Sequence, residues 1–157
     1  MDKEQFKSIV HPVMKANSFR RKGNSWYKTT AECIVVFNLQ HSLYGKMFYI
    51  NLAALLRKGD DLLFPKEYQC DIRMRFPIME IEGYSTQMIL DLESTIDEKL
   101  RPMLIENIIN SSMPILQKLG SIDGIIELYG EKPELNNIYP FSSILDRKEM
   151  NNKLKAI

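Results

Sequence analysis

The chain has little of what most metal, nucleotide and redox chemistry needs. It contains two cysteines and two histidines in 157 residues, and none of them has the spacing of a metal-ligand motif. The seven glycines are dispersed, so no glycine-rich loop is available to cradle a phosphate. Asp60 and Asp61 are interpreted as solvated loop carboxylates. We therefore predict no catalytic residue, no metal site and no cofactor.

Long apolar runs and a strong charge of one sign are also missing. No stretch approaches the roughly 18 apolar residues of a membrane span, and residues 1–6 are too charged for a secretory signal. The 21 basic and 20 acidic residues leave a net charge of +1, too small for the general basic field of nucleic-acid binders. We expect a cytoplasmic protein, with neither membrane nor nucleic acid as its partner, folded as a single domain over residues 1–157.

Alternation of apolar and polar residues dominates residues 33–76 and predicts three antiparallel strands, because strand side chains alternate between faces. The third strand is expected over residues 69–76, with Cys70 on the apolar face beside Ile72. The other face carries groups that recognise ligands rather than the Lys, Glu and Thr that solvation ordinarily places there. These residues are Asn38, Gln40, His41, Tyr49, Asn51, Arg73 and Arg75.

Three interpretations of this polar face remain open. The side chains could form a hydrogen-bonded network buried under the C-terminal helices, or a face that binds a partner. They could also be plainly solvated, since antiparallel sheets commonly leave one face in water.

The remaining pattern predicts an α+β fold. Residues 1–84 are expected to form a helix over residues 2–17, a hairpin turning at Gly23 and Asn24, the strands above, and an edge segment over residues 78–84. Residues 85–157 are expected to be helical, starting at a capping box of Thr95 and Glu98. Prolines 12, 102 and 114 should kink or divide the helices that contain them. The predicted architecture is an N-terminal helix, an antiparallel meander of about four or five strands, and C-terminal helices packed on one face.

A basic cluster at Arg20 and Arg21 lies across the predicted turn from Trp26 and Tyr27. Together these residues could stack a nucleic-acid base and hold its phosphate. A charged hairpin edge that resists strand pairing explains the same residues more simply.

Several segments resemble a bacterial family catalogued as domain of unknown function 4304. They are residues 18–23 (SFRRKG), 26–27 (WY), 38–42 (NLQHS), 48–52 (FYINL) and 70–75 (CDIRMR). The resemblance covers roughly the first half of the chain, and it departs at Ser18, where glycine is common, and at Phe76 and Pro77, where leucine and glycine are usual. It implies a bacterial intracellular protein without assigned activity, and its Asn-x-Gln, Phe-x-x-Asn and Arg-x-Arg elements coincide with the polar face.

The favoured function is a non-enzymatic domain that binds another protein, in the manner of an immunity or antitoxin-type inhibitor. One competing hypothesis is an enzyme or small-molecule binder that holds an anionic ligand with His41, Tyr49, Arg73 and Arg75, because paired arginines suit carboxylate or phosphate geometry. A third is single-stranded nucleic-acid binding through Arg20, Arg21, Trp26 and Tyr27.

Overall fold

The computed structural model describes residues 1–59 and 62–156. Five antiparallel strands form the main sheet in the order β1-β2-β3-β4-β5, so every strand lies beside its neighbours in sequence. The strands are β1 (Arg20–Lys22), β2 (Ser25–Thr29), β3 (Cys33–His41), β4 (Phe48–Leu56) and β5 (Ile72–Arg75). The predicted α+β class and the meander are confirmed.

The first helix, α1 (Lys3–Ala16), begins at a capping box that Asp2 forms with Gln5. The Oδ1 atom of Asp2 accepts a hydrogen bond from the backbone N–H of Gln5 at 2.8 Å, and Oε1 of Gln5 accepts one from the N–H of Asp2. Of the two effects expected of Pro12, a kink or a division, the division is wrong, because Pro12 lies inside one continuous helix. Val10 and Met14, on the two sides of the proline, are buried in the large hydrophobic core, and such packing outweighs one lost backbone hydrogen bond.

The helical half contains α2 (Thr86–Leu90), α3 (Arg101–Lys118), α4 (Ile122–Glu131) and α5 (Phe141–Lys155). The sequence pattern predicts helices over residues 122–129 and 143–155, and α4 and α5 agree with these bounds to within two residues. The predicted start at Thr95 and the splitting of the long helix are wrong. Helix α3 begins at Arg101 and continues through Pro114, while Pro102 stands in its first turn, where the missing N–H would have no helical partner.

The segment that follows β4 also differs from the prediction. A short 3-10 turn over Glu67–Gln69 shortens β5, and Cys70 lies before the strand, outside the alternation that was used to place it. Cys70 therefore packs on the face opposite to Ile72. Residues 78–84 do not extend the main sheet, because β6 (Glu80–Ile81) and β7 (Tyr84–Ser85) pair only with each other in a separate two-stranded sheet.

Each face of the main sheet has its own core. All five helices contribute to the large core on one face, called here the helix side, which includes Phe37 and Phe48. The opposite face, called here the outer face, carries a small apolar cluster of Tyr27, Ile34, Val36, Ala53 and Cys70. In the part of the chain that the structure describes, no helix is long and apolar enough to span a membrane.

Candidate functional site: a polar recess on the outer face

A single row of polar side chains crosses all five strands on the outer face. The strand register pairs Lys22 with Ser25, Ser25 with Asn38, Asn38 with Asn51, and Asn51 with Arg75. Gln40 and Tyr49 are paired in the adjacent row. The outer-face positions of Asn38, Gln40, Tyr49, Asn51 and Arg75 agree with the strand alternation, because each is an even number of residues from its outer-face neighbours within its own strand.

Hydrogen bonds connect this row from β2 to β5. The Nδ2 amide of Asn38 donates to Oγ of Ser25 at 2.9 Å, and Nδ2 of Asn51 donates to Oδ1 of Asn38 and to Oε1 of Gln40 at 3.0 Å each. Asn51 is 6% exposed, so these bonds satisfy a buried amide that would otherwise be costly. The row is therefore a rigid polar floor rather than a set of independent solvated side chains.

The guanidinium of Arg75 is held in place at the end of the floor. Its Nη2 atom donates to Oε1 of Gln40 at 3.3 Å, and its Cζ lies 4.3 Å from the centroid of the Tyr49 ring. Arginine has five N–H donors in a planar fork. The hydrogen bond to Gln40 uses one of them, and the contact with the Tyr49 ring requires none. Arg75 is exposed, so its remaining donors are available to a ligand.

Residues of the segment between β4 and β5 form a wall beside the floor and make it concave. Phe64, Lys66, Glu67 and Tyr68 line a recess of about 1010 Å³ together with the polar row. Phe64 packs edge-on against Tyr27, with ring centroids 5.2 Å apart, and Lys22 Nζ lies 4.6 Å from the Phe64 centroid. The wall thus covers the apolar part of the outer face and leaves the amide part open.

The recess carries an excess of positive charge. Four cationic side chains line it, Lys22, Lys66, Arg73 and Arg75, against the single carboxylate of Glu67. That carboxylate is already engaged, because Arg73 Nε donates to Glu67 Oε1 at 3.1 Å. Among residues 1–59 and 62–156, no carboxylate forms an ion pair with Lys22, Lys66 or Arg75. Negative charge is what this recess is suited to receive.

His41 was predicted to belong to the polar face, and the structure places its ring elsewhere. The imidazole lies edge-on to Phe48, with ring centroids 5.2 Å apart, and Phe48 belongs to the large helix-side core. The reason is strand alternation: His41 is two residues from Leu39 and shares its face. His41 is among the residues that line the recess with Arg73 and Arg75, but its ring packs against the helix-side core.

The aromatic residues of the predicted nucleic-acid site are not available for stacking. Trp26 is fully buried, its Nε1 donates to Nδ1 of His11 at 3.1 Å, and the Arg21 guanidinium lies 5.3 Å from its ring centroid. Tyr27 is buried against Phe64. Arg20 and Arg21 are exposed on β1, which is an edge strand of the sheet, as the charged-edge interpretation expects.

The two thiols do not supply chemistry to the site. Burial raises the pKa of Cys33 to about 12, and burial assisted by the nearby Asp71 carboxylate raises that of Cys70 to about 12. No group of three His, Cys, Asp or Glu side chains within the described ranges could hold a metal ion. Asp60 and Asp61, which we interpreted as solvated carboxylates, lie outside the described residues.

Several residues of the recess were missed from the sequence. Ser25 could have been found, because the hairpin at Gly23 and Asn24 sets its register against Lys22. Phe64 and Lys66 lie in an irregular segment, and Glu67 and Tyr68 lie in the short 3-10 turn that follows it. Neither has a periodicity long enough to assign side chains to a face.

Comparison with known proteins identifies one related family. A family model described as Domain of unknown function (DUF4304) matches residues 10–118, a range that contains the whole main sheet, the recess and α3. The match therefore extends beyond the first half of the chain, where the sequence resemblance was noticed. No curated protein and no solved structure matches the chain.

Proposed function

Since the chain belongs to the family described as Domain of unknown function (DUF4304), we propose its function from the recess: a non-catalytic domain that binds an acidic segment of another protein. The observation that carries the proposal is the hydrogen-bonded polar floor with Lys22, Lys66 and Arg75 around it and no carboxylate paired to them within the described residues. The proposal includes the bacterial cytoplasm as the location.

Preorganisation supports binding at this surface. The amides of Asn38 and Asn51 are already ordered by each other, and Arg75 is ordered by Gln40 and Tyr49. A partner therefore does not have to immobilise these side chains, which otherwise costs about 0.5–1.5 kcal/mol for each ordered side chain. Tyrosine and arginine are also the residues that most often dominate the energy of protein interfaces.

The shape of the recess favours a protein segment over a small molecule. Small-molecule sites are about 300–1,000 Å³, mostly apolar, and bury most of their ligand. This recess, at about 1010 Å³, is slightly larger than that range and is lined mainly by polar side chains along an open sheet face. An extended acidic chain would run over the row from Lys22 to Arg75 and contact several cations at once.

If binding blocks the activity of the partner, the domain acts as an immunity or antitoxin-type inhibitor, and we include this role in the proposal. Its basis is the combination of a near-neutral chain with a local cationic recess. Local charge speeds the encounter with an acidic partner without attracting polyanions to the whole surface.

One observation favours a second candidate, a small anionic ligand such as a carboxylate or phosphate ester. The Arg75 guanidinium lies over Tyr49 and is bonded to Gln40, an arrangement that can present a planar pair of donors to one oxyanion. A small anion that binds at Arg75 and prevents acidic peptides from binding would favour this candidate.

The proposal is tested with a labelled hexaglutamate peptide and with the product of the neighbouring gene. We expect the peptide to bind in low salt and to bind about tenfold more weakly to the double variant Lys22→Glu/Lys66→Glu. The matched control is Lys3→Glu/Lys155→Glu, which changes the net charge equally at two exposed lysines in helices.

Two results would contradict the proposal. The first is equal binding of hexaglutamate to both double variants, since the recess would then have no special role. The second is failure of the purified wild-type protein to bind either hexaglutamate or the neighbouring gene product at micromolar concentration. Retention of a labelled single-stranded oligonucleotide that hexaglutamate does not displace would instead favour nucleic-acid binding.

A further inference from the structure

An apolar pocket of about 180 Å³ opens beside Arg75, at the edge of the sheet where β5 ends. Its walls include Phe48 and Ile50 of β4 and Leu90 of α2, three side chains that are at most 6% exposed. Arg75 lines this pocket and the polar recess alike. The two cavities are therefore adjacent, and Arg75 is common to both.

The pocket has the size of one large apolar side chain. A cavity of about 150 Å³ lined by aliphatic and aromatic groups is dry and accepts benzene, so about 180 Å³ accommodates the side chain of phenylalanine or leucine. At the mouth, Ile78 is 69% exposed. A side chain that fills the pocket would remove from water the apolar surface of the pocket walls and that of Ile78.

We propose that the acidic segment anchors one phenylalanine- or leucine-sized side chain in this pocket while a neighbouring carboxylate binds Arg75. This inference rests on the proposed function and adds the partner's chemistry: an apolar residue next to acidic ones. The cation excess of the recess selects the acidic residues, and the walls of the pocket select the apolar one. Arg75 sets the spacing between them, because its position is held by Tyr49 and Gln40.

Two peptides with blocked ends test the inference, acetyl-Glu-Glu-Phe-Glu-Glu-amide and acetyl-Glu-Glu-Ala-Glu-Glu-amide. Both carry the same charge, so a difference between them reports the apolar side chain alone. We expect the Phe peptide to bind about tenfold or more tightly by calorimetry, in proportion to the apolar area that the ring buries. We also expect the methyl resonances of Ile78 and Leu90 to shift only with the Phe peptide.

A blocking variant and a matched control lie on the same short helix. Gln87 is exposed and lines the pocket, whereas Met88 is 39% exposed and does not. Gln87→Trp should cover the mouth and make the two peptides bind equally, while Met88→Trp should preserve the preference. Both substitutions are at exposed positions, so the folded structure should tolerate them.

The outcomes distinguish this inference from the proposed function. If both peptides bind with equal affinity to the wild-type protein, or if Gln87→Trp keeps the preference for the Phe peptide, the anchor pocket is wrong and the proposed binding of acidic segments by the cationic recess is unaffected. If neither peptide binds while hexaglutamate does, this inference fails and the proposed function does not; if hexaglutamate and the neighbouring gene product also fail to bind, both proposals fail. A preference for the Phe peptide that shifts no resonance of the pocket would also overturn the inference.

Discussion

Gln40 on β3 and Arg75 on β5 are joined by a hydrogen bond of 3.3 Å that crosses the intervening strand β4. The same Gln40 oxygen accepts from Asn51 on β4. One amide oxygen therefore links the buried part of the polar floor to the exposed cation at its end. The arrangement indicates that the position of Arg75 depends on Gln40.

Replacing Gln40 with leucine should loosen Arg75 without unfolding the protein. Gln40 is exposed, and its loss removes one acceptor worth about 0.5–1.5 kcal/mol. We expect the affinity for hexaglutamate to fall by about three- to tenfold while the melting temperature changes by only a few degrees. Gln117→Leu, at an exposed position in α3, is the control and should leave the affinity unchanged. An unaltered affinity in Gln40→Leu would show that Arg75 does not need this contact.

Replacing Asn51 with leucine should destabilise the fold itself. Asn51 is nearly fully buried and donates to both Asn38 and Gln40, so leucine would leave Oδ1 of Asn38 without its donor and Oε1 of Gln40 with Arg75 alone. We expect a loss of about 1–3 kcal/mol in the free energy of unfolding, measured by urea denaturation. A neutral or stabilising result would mean that water satisfies these acceptors.

Arg101 holds the connection between α2 and α3 and should be the most sensitive to substitution of the charged residues that the structure describes. Its guanidinium is fully buried and donates to the backbone carbonyls of Ile89, Asp91 and Ser94 at 3.0 Å each. Arg101→Met should cost about 3–5 kcal/mol, because it leaves buried carbonyls unpaired. Arg101→Lys should rescue little, since one ammonium cannot reach carbonyls on several sides. Chemical denaturation of both variants would measure this, and full rescue by lysine would contradict it.

Burial of the two thiols predicts that the free energy of unfolding falls at alkaline pH. Burial raises the pKa of Cys33 and of Cys70 from 9.0 to about 12, so the folded state disfavours both thiolates. Their contribution is fully present below pH 9, where both states are protonated, and is lost as the pH rises toward 12. The free energy of unfolding should therefore decline between pH 9 and 12, and less steeply in Cys33→Ala/Cys70→Ala.

Burial of the two thiols also predicts slow chemical modification. At pH 8 a thiol reagent should modify the native protein only as fast as the structure around the thiols opens. Rapid labelling at that pH would contradict the burial of these groups.

Local patterns of the sequence predicted the parts of the fold that depend on neighbouring residues. Alternation alone put Asn38, Gln40, Tyr49 and Asn51 on one face, and the turn at Gly23 was found from its chemistry, as its φ of +63° confirms. The prolines were misleading, because the effect of Pro114 depends on how α3 packs against other elements. His41 was misassigned by proximity along the chain, although its own alternation places it beside Leu39.

The sequence by itself determined the α+β class, the meander and the phase of the polar strands, because side-chain direction in a strand is a local property that repeats every second residue. Only the tertiary structure decided which surfaces are covered. It placed the helices on the face away from the amides, brought Phe64, Lys66 and Tyr68 over the outer face to make a recess, and buried Trp26 against α1. Coverage depends on contacts between residues far apart in the chain, and no short-range periodicity encodes them.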